Sequence, residues 1–83
     1  MSKKKKPPKF NKGDLVKFKG LPIRIAQMNL DPEELAIWLT SVWIVRGDRG
    51  PHGWYGIEAD LSMDGNWTVF YAAQESLESV YEV

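Results

Sequence analysis

Hydrophobic and polar residues alternate in the first third of the chain. In residues 15–19, Val16 and Phe18 share one side and the lysines share the other, which is the period-two pattern of a half-buried strand. Residues 23–30 alternate in a similar way after a break at Gly20-Leu21-Pro22. We therefore predict β-strands at 15–19 and at 23–30.

The next segment carries signals for both helix and strand. Residues 31–34, Asp-Pro-Glu-Glu, supply an N-cap acceptor, a proline at the first helical position and acids in the first turn. The residues that follow are dense in β-branched and aromatic side chains, which lose rotamer freedom in helices and pack well on sheets. We predict a single helical turn at 32–36 and a long strand at 37–46, with Trp38 and Trp43 packed in the core or on the strand face.

Turn residues divide the second half of the chain. Residues 46–56 contain four glycines and a proline, so they are predicted to form a loop or the mobile tip of a hairpin. Strands are predicted at 57–61 and 67–71, joined by a hairpin turn at Asp64-Gly65, with Trp67 as a cross-strand partner. A helical turn at 72–77 and a final strand at 78–83 follow. The fold class predicted is all-β: a small, bent barrel of about five strands with one or two short helical turns.

These residues resemble the SH3-like small barrels, which include KOW-type modules and short bacterial and phage proteins of the YodC type. The pattern is Phe10-x-x-Gly13-Asp14-Leu15-Val16-x-Phe18-x-Gly20-x-Pro22, then Val42-Trp43, then Phe70 followed by Leu77-Glu78-x-Val80. The resemblance implies a turn at Gly13-Asp14 before the first strand and a short helical turn before the last one. It also implies binding of proteins or nucleic acids without catalysis. Residues 46–66 are longer and richer in glycine and tryptophan than in the shortest members.

The formal charge of zero is a cancellation between two segments. Residues 1–9 contain no acid and five lysines, which gives +5, whereas residues 10–83 contain 11 − 5 = 6 basic and 11 acidic residues, which gives −5. We predict a disordered basic tail at 1–9 and a single barrel domain at 10–83. The tail is either an electrostatic arm for an anionic partner or a solubilising terminus. Its lysines are Lys3, Lys4, Lys5, Lys6 and Lys9.

Length and composition exclude several classes of protein. With 83 residues and no cysteine, the chain has room for one small core held by apolar packing, without disulfides or thiol chemistry. No apolar run approaches the roughly 18 residues of a membrane helix, and Pro7-Pro8 follows the basic start in place of a signal-peptide hydrophobic stretch. We predict a cytoplasmic protein with no membrane span.

The sequence offers little catalytic or metal chemistry. His52 is the only histidine, and a glycine-rich loop is a poor place to hold a general base. Glu58, Asp60, Asp64 and Asn66 offer oxygen ligands, but their spacing does not match a calcium loop, and turn chemistry explains them. Arg46-Gly47-Asp48 matches the sequence of the adhesion tripeptide, but chance and turn propensity explain it better. We predict no enzyme activity, no metal and no cofactor.

The strongest functional signal is aromatic. Four tryptophans in a chain this short exceed what a small barrel core needs, and Trp54 and Tyr55 lie between glycines close to Arg46 and Arg49. Aromatic residues beside arginines on a loop are typical of interface anchors. Trp54 either contacts a partner or folds back as a lid over an open end of the barrel.

Three functions are compatible with these features. We predict a non-catalytic module, a phage or bacterial accessory factor, that docks on a protein partner through Trp54, Tyr55, Arg46, Arg49 and its acidic body. The first alternative is nucleic-acid association through the lysine-rich tail, against which the acidic body argues. The second is a structural subunit of a larger, virion-type assembly, in which edge strands pack against neighbours. The oligomeric state and the identity of the partner stay open.

Overall fold

A computed structural model describes residues 10–80 of the chain. The predicted basic tail at 1–9 and residues 81–83 of the predicted last strand lie outside this range. The strands are β1 (Leu15–Phe18), β2 (Trp43–Arg49), β3 (Tyr55–Ala59), β4 (Thr68–Ala72) and β5 (Leu77–Ser79). The helices are α1 (Ile23–Ala26) and α2 (Pro32–Thr40), with 3-10 turns at Pro51–Gly53 and Gln74–Ser76.

The five strands form one antiparallel sheet in the order β4-β3-β2-β1-β5. β1 lies between β2 and β5, since Val16 pairs with Trp43 on one side and with Ser79 on the other. β4 and β5 are the two edges, and no pairing between them closes the sheet within residues 10–80. The predicted mainly-β fold of five short strands is confirmed, and so is the short helical turn before the last strand.

The core lies on the inner face of the sheet, under α2. Trp43 is fully buried, and the centre of its ring is 5.4 Å from that of Phe18 and 5.2 Å from that of Trp38. The indole nitrogen of Trp43 donates a hydrogen bond of 3.2 Å to the carbonyl of Trp38, so its one polar group is satisfied. Packing of Trp38 and Trp43 in the core is confirmed. The other buried hydrophobic residues are Phe10, Val16, Phe18, Ile25, Val45, Tyr55, Ile57, Ala59, Ala72 and Leu77.

The predicted strand at 23–30 is wrong, because these residues begin with helix α1. The carbonyl of Pro22 accepts hydrogen bonds from the backbone N–H of Ile25 and of Ala26, which starts the helical turn. A hairpin with β1, the strand that precedes this segment in the chain, is not available, because both sides of β1 are occupied by β2 and β5. Ile25 is buried while Ile23 is 71% exposed, so the alternation of isoleucines follows a helical turn and leaves one of them on the surface.

Helix α2 is longer than predicted, and β2 begins later. The expectation of a strand from residue 37 is wrong, because the helix continues to Thr40 and β2 starts at Trp43. Leu35, Trp38 and Leu39 pack against the core from one helical face, at spacings of three and four residues. Burial of this face outweighs the β propensity of the individual side chains.

The β2–β3 connection is a tight hairpin and not a long loop. β2 extends through Arg49 and β3 starts at Tyr55, which leaves a short tip where Gly50 N–H donates to the carbonyl of Trp54 at 2.7 Å. The predicted strands at 57–61 and 67–71 are found, each displaced by one or two residues.

The β3–β4 connection is longer than the predicted two-residue turn. The Asp60 carboxylate accepts hydrogen bonds from the backbone N–H groups of Asp64 and Gly65, at 3.2 and 3.0 Å. Trp67 lies just before β4 and is 49% exposed. One aspartate side chain therefore organises this loop, and Asp64-Gly65 is only part of the turn.

Candidate functional site

The side chains of the two predicted aromatic anchors, Trp54 and Tyr55, point to opposite faces of the hairpin. Successive residues of an extended chain point to opposite faces, so adjacent aromatic residues cannot share one surface. Tyr55 is only 2% exposed, and its ring meets that of Phe10 edge-on at 5.4 Å while its hydroxyl accepts the Phe10 N–H at 3.3 Å. The expectation that both are surface residues is wrong for Tyr55, because it starts β3 facing the core.

Trp54 is half-buried and is covered by an arginine that the sequence did not single out. The Arg24 guanidinium carbon lies 4.6 Å from the centre of the Trp54 ring and 4.8 Å from that of Phe70. The same guanidinium donates to the backbone carbonyl of Tyr71 at 2.5 Å. Two aromatic rings and a carbonyl thus hold Arg24, and no carboxylate lies within ion-pair distance of it among residues 10–80.

An open groove runs between α1 and β4 beside Trp54. Its volume is 180 Å³, below the roughly 300 Å³ at which pockets begin to enclose small-molecule ligands. We call it the Trp54 groove, and it is lined chiefly by Pro22, Ile23, Arg24, Trp54, Phe70 and Tyr71. Its size suits one side chain of another molecule. Trp54 is therefore neither a free loop anchor nor a fully closed lid, since one side of its ring contacts Arg24 and the ring also lines the groove.

Tyr71 forms one wall of this groove, and two glycines make room for its ring. A Cβ atom added to Gly50 would lie 2.7 Å from Tyr71 Cδ1, and one added to Gly56 would lie 2.5 Å from Asp48 Oδ1 and 2.9 Å from Tyr71 Cε1. The Tyr71 hydroxyl donates to Asp48 at 2.6 Å. These glycines, predicted as loop residues, therefore permit a close approach of the ring to the β2–β3 hairpin.

The Tyr71–Asp48 hydrogen bond shifts the pKa of both partners. It is the largest cause that lowers the pKa of Asp48, because the hydroxyl stabilises the carboxylate, and Arg46 adds a smaller effect in the same direction. The same bond raises the pKa of Tyr71. Arg46, a predicted site residue, is exposed and lies 3.4 Å from Asp48, Nε to Oδ1.

Arg49 joins Tyr55 on the other side of the hairpin. Its guanidinium carbon lies 4.2 Å from the centre of the Tyr55 ring, and its Nε donates to the Gly53 carbonyl at 2.8 Å. A second groove, of 270 Å³, opens beside this pair. We call it the Arg49 groove, and it is lined by Phe10, Asn11, Lys12, Val45, Gly47, Arg49 and Tyr55. Of the four predicted site residues, Trp54 thus lines one groove, Tyr55 and Arg49 line the other, and Arg46 lines neither.

The residues considered above for acid–base or metal chemistry do not form one cluster among residues 10–80. His52 is exposed at the hairpin tip in a left-handed backbone conformation, and its ring centre is 5.3 Å from that of Trp54. The Asp64 carboxylate accepts from the N–H groups of Asn66, which lowers its pKa. Among residues 10–80, no group of three or more His, Cys, Asp or Glu side chains is arranged to hold a metal ion.

Comparison with known proteins does not assign the chain to a family. In the described range, neither helix has the length and apolar character needed to cross a bilayer. The resemblance to SH3-like barrels stays a prediction. No protein-family model, curated protein or solved structure matches the chain.

Proposed function

We propose that this protein is a non-catalytic binding module that accepts an apolar side chain of a partner protein in the Trp54 groove. The observation that carries the proposal is the apolar surface around this groove. Ile23, which lines it, is 71% exposed, and Leu21, one residue before Pro22, is 52% exposed. Large aliphatic side chains exposed next to a half-buried tryptophan are typical of a surface that another protein covers.

The composition of the groove also favours a protein ligand. Tryptophan, tyrosine and arginine are the residue types enriched in protein interfaces, and Trp54, Tyr71 and Arg24 line the groove together. Its small volume excludes a bulky cofactor but admits a single leucine-sized side chain.

Arg24 supplies the polar edge of this surface. The rings of Trp54 and Phe70 hold its guanidinium in place, and one of its nitrogens is used by the Tyr71 carbonyl. An arginine has five N–H donors, so others are left for a carbonyl or carboxylate of the partner. Because the guanidinium is already ordered, binding costs little side-chain entropy.

The experiment compares two exposed apolar residues that receive the same charge. Ile23→Asp alters the groove, whereas Met63→Asp alters the β3–β4 loop, where Met63 is 90% exposed. Tagged wild-type and variant chains are used to capture partners from a native lysate, and captured proteins are identified by mass spectrometry. We expect Met63→Asp to retain the partner captured by the wild type, and Ile23→Asp and Trp54→Ala to lose it while each still melts cooperatively.

Retention of the same partner by both Ile23→Asp and Trp54→Ala would overturn the proposal. A large drop in the Tm of Trp54→Ala alone would show that Trp54 is mainly a core residue. In that case Ile23→Asp still decides the question, since its side chain is exposed.

A further inference from the structure

The two edges of the sheet differ in length and charge. β5 has three residues and carries Glu78, whose carboxylate lies 3.7 Å from the Lys17 ammonium of β1. β4 has five residues, Thr-Val-Phe-Tyr-Ala, with no charged residue and no proline among them. Short length, charges and prolines are the features that protect an edge from pairing with another chain. β4 has the length of an ordinary strand and neither of the other two features, so it is the edge open to an added strand.

A hydrogen bond at the hairpin tip shows which way the main chain of β3 points. In an antiparallel sheet, the N–H and C=O groups of successive residues point alternately to the two neighbouring strands. The Trp54 carbonyl accepts the N–H of Gly50, on the side of β2. The next residue, Tyr55, therefore points its N–H and C=O toward β4, where its partner is Ala72.

The same alternation places the main-chain groups of Val69 and Tyr71 at the free edge. Ala72 and Phe70 bond to β3, so the residues before each of them point their N–H and C=O away from β3. One contact agrees with this assignment, because the Tyr71 carbonyl accepts a hydrogen bond from Arg24 of α1. Within residues 10–80 no strand pairs with this side of β4, and Arg24 is the only partner of these groups. Both groups of Val69 and the N–H of Tyr71 are thus left for the main chain of another molecule.

The Trp54 groove lies directly beside this edge. Phe70 and Tyr71 of β4 line it together with Ile23 and Arg24 of α1. The side chains of an added strand would alternate between the two faces of the sheet, and those on the inner face, where Phe70 packs, would meet the groove. In β-strand addition, main-chain hydrogen bonds give affinity and pockets for alternate side chains give specificity. The edge offers the bonds, and the groove offers one such pocket.

A second copy of this chain, paired through either edge, would not fill the groove. The inner-facing residues of β4 are Thr68, Phe70 and Ala72, of which Phe70 already packs against the core and the other two are short. β5 offers Leu77, which is fully buried, and Ser79. The aliphatic side chain for the groove would therefore come from a different protein.

Arg24 adds a preference for a carboxylate. It occupies the Tyr71 carbonyl and so ends the row of free main-chain groups. Its guanidinium has no carboxylate within ion-pair distance among residues 10–80 and keeps further N–H donors. A carboxylate of the added strand at this position would form a charge-assisted hydrogen bond, which is stronger than a neutral one.

We propose that the free edge of β4 accepts an extended segment of a partner protein as an additional strand, with an aliphatic side chain in the Trp54 groove and a carboxylate beside Arg24. The inference rests on the proposed function, since both use the same groove. It adds that the ligand is a strand, held by its main chain at Val69 and Tyr71. A ligand bound only by its side chain would not need these groups.

The test uses two matched proline variants, each of which removes one N–H that points out of the sheet. Val69→Pro alters the edge of β4. Ser79→Pro alters the opposite edge, where the Val80 N–H bonds to Leu15 of β1 and the N–H of Ser79 by alternation points away. Edge strands tolerate proline where the missing N–H faces away from the ladder, so both variants should fold, which circular dichroism checks.

Synthetic peptides serve as the probe. Random peptides of about ten residues, the length of a long strand, are displayed on phage and selected against the full wild-type chain. We expect the enriched peptides to share an aliphatic residue and an acidic residue. Their Kd is then measured by fluorescence anisotropy. Val69→Pro should weaken binding by about tenfold, the equivalent of one well-formed hydrogen bond, and Ser79→Pro should leave it unchanged. Ile23→Asp should also weaken binding, because it alters the groove.

A second measurement leaves the protein unaltered. Methylation of a peptide nitrogen removes its N–H, and the methyl group is moved along the enriched peptide one residue at a time. Only every second N–H of a strand bound at an edge faces that edge. Methylation should therefore weaken binding to the wild type at alternate positions and leave the positions between them unchanged.

Several results would overturn the inference. If Val69→Pro binds the peptide as tightly as the wild type while Ile23→Asp loses it, the groove binds its ligand without strand pairing and the proposed function stands. A methylation scan without alternation has the same meaning. Retention of the peptide by both variants would count against the proposed function as well. If no peptide is enriched, the edge does not accept an extended segment, and capture from the lysate still decides the proposed function. A wild type that is a dimer in native mass spectrometry, with Val69→Pro a monomer, would assign the edge to a second copy.

Discussion

Gly50→Ala tests whether the Tyr71 ring, and not backbone freedom, requires a glycine at the hairpin tip. Gly50 has φ −94° and ψ −163°, an extended conformation that alanine can adopt. An added Cβ would, however, lie 2.7 Å from Cδ1, 2.9 Å from Cγ and 3.2 Å from Cβ of Tyr71. These atoms are at the base of the side chain, so the ring cannot avoid the new methyl group without a change of rotamer or a shift of β4.

The expected loss follows from this overlap. Added methyl groups in well-packed sites cost typically about 1–3 kcal/mol. A domain of this size loses about 4–8 °C of Tm per kcal/mol, so Gly50→Ala should lower the Tm by about 4–24 °C. Thermal unfolding followed by circular dichroism or calorimetry measures this value.

A double-mutant cycle isolates the contact. In the Tyr71→Ala background the overlaps with Cδ1 and Cγ are gone and only the 3.2 Å contact with Cβ remains. Gly50→Ala should therefore cost much less in that background than in the wild type, and the restriction of the unfolded chain by alanine offsets part of the remaining cost. An equal loss in both would refute the assigned cause and show that Gly50 is needed for another reason.

Two further predictions concern the core and the Tyr71–Asp48 hydrogen bond. Leu77, the first residue of β5, is fully buried, so Leu77→Ala should lower the free energy of unfolding in urea by about 2–5 kcal/mol. Leu21→Ala on the surface should change the free energy of unfolding by at most about 0.5 kcal/mol. Equal losses would contradict the assigned burial. Tyr71→Phe keeps the ring and removes the hydroxyl, so its stability relative to the wild type should depend on pH at both ends of the scale. The pKa of Asp48 is lowered from its usual 3.8, so the stabilisation is present above that value and is lost as the pH falls through the lowered pKa. The pKa of Tyr71 is raised from 10.0, so the stabilisation is present below that value and is lost as the pH rises through the raised pKa. Urea unfolding of both proteins across pH measures the difference, and a constant difference in acid would contradict the role of Asp48.

The parts of the fold that depend on local patterns were predictable from the sequence. Alternation located β1, and the 3-10 turn before β5 lies within the predicted helical turn at 72–77. The segment 23–30 was not predictable in this way, since its alternation fits a strand equally well and a hairpin with β1 is excluded only by the pairing of β1 with β2 and β5. The extent of α2 was likewise decided by which face could be buried against Trp43.

Of the candidate site, only Trp54 was predictable from the sequence. A tryptophan near arginines on the β2–β3 hairpin was visible in the sequence, but its true partner, Arg24, comes from α1, thirty residues earlier. That pairing depends on the position of α1 beside β4, which no local pattern encodes. Tyr55 was misplaced because flanking glycines say nothing about which face of a strand a residue occupies. A strict count of alternation from Ile57 back to Tyr55 would have placed both on the same, inner face.

The pairing of β1 with β5 determines the order in which the sheet can be completed. The hairpins β2–β3 and β3–β4 join neighbouring segments and close short loops. Val16, in contrast, pairs with Ser79, which lies 63 residues later in the chain. Contacts between distant segments form slowly because a long loop must be closed first. During synthesis, β1 therefore has an unpaired side until residues 77–79 have left the ribosome. Lys17 on that strand and Lys19 just after it keep the nascent edge charged, which opposes pairing with other chains in this interval.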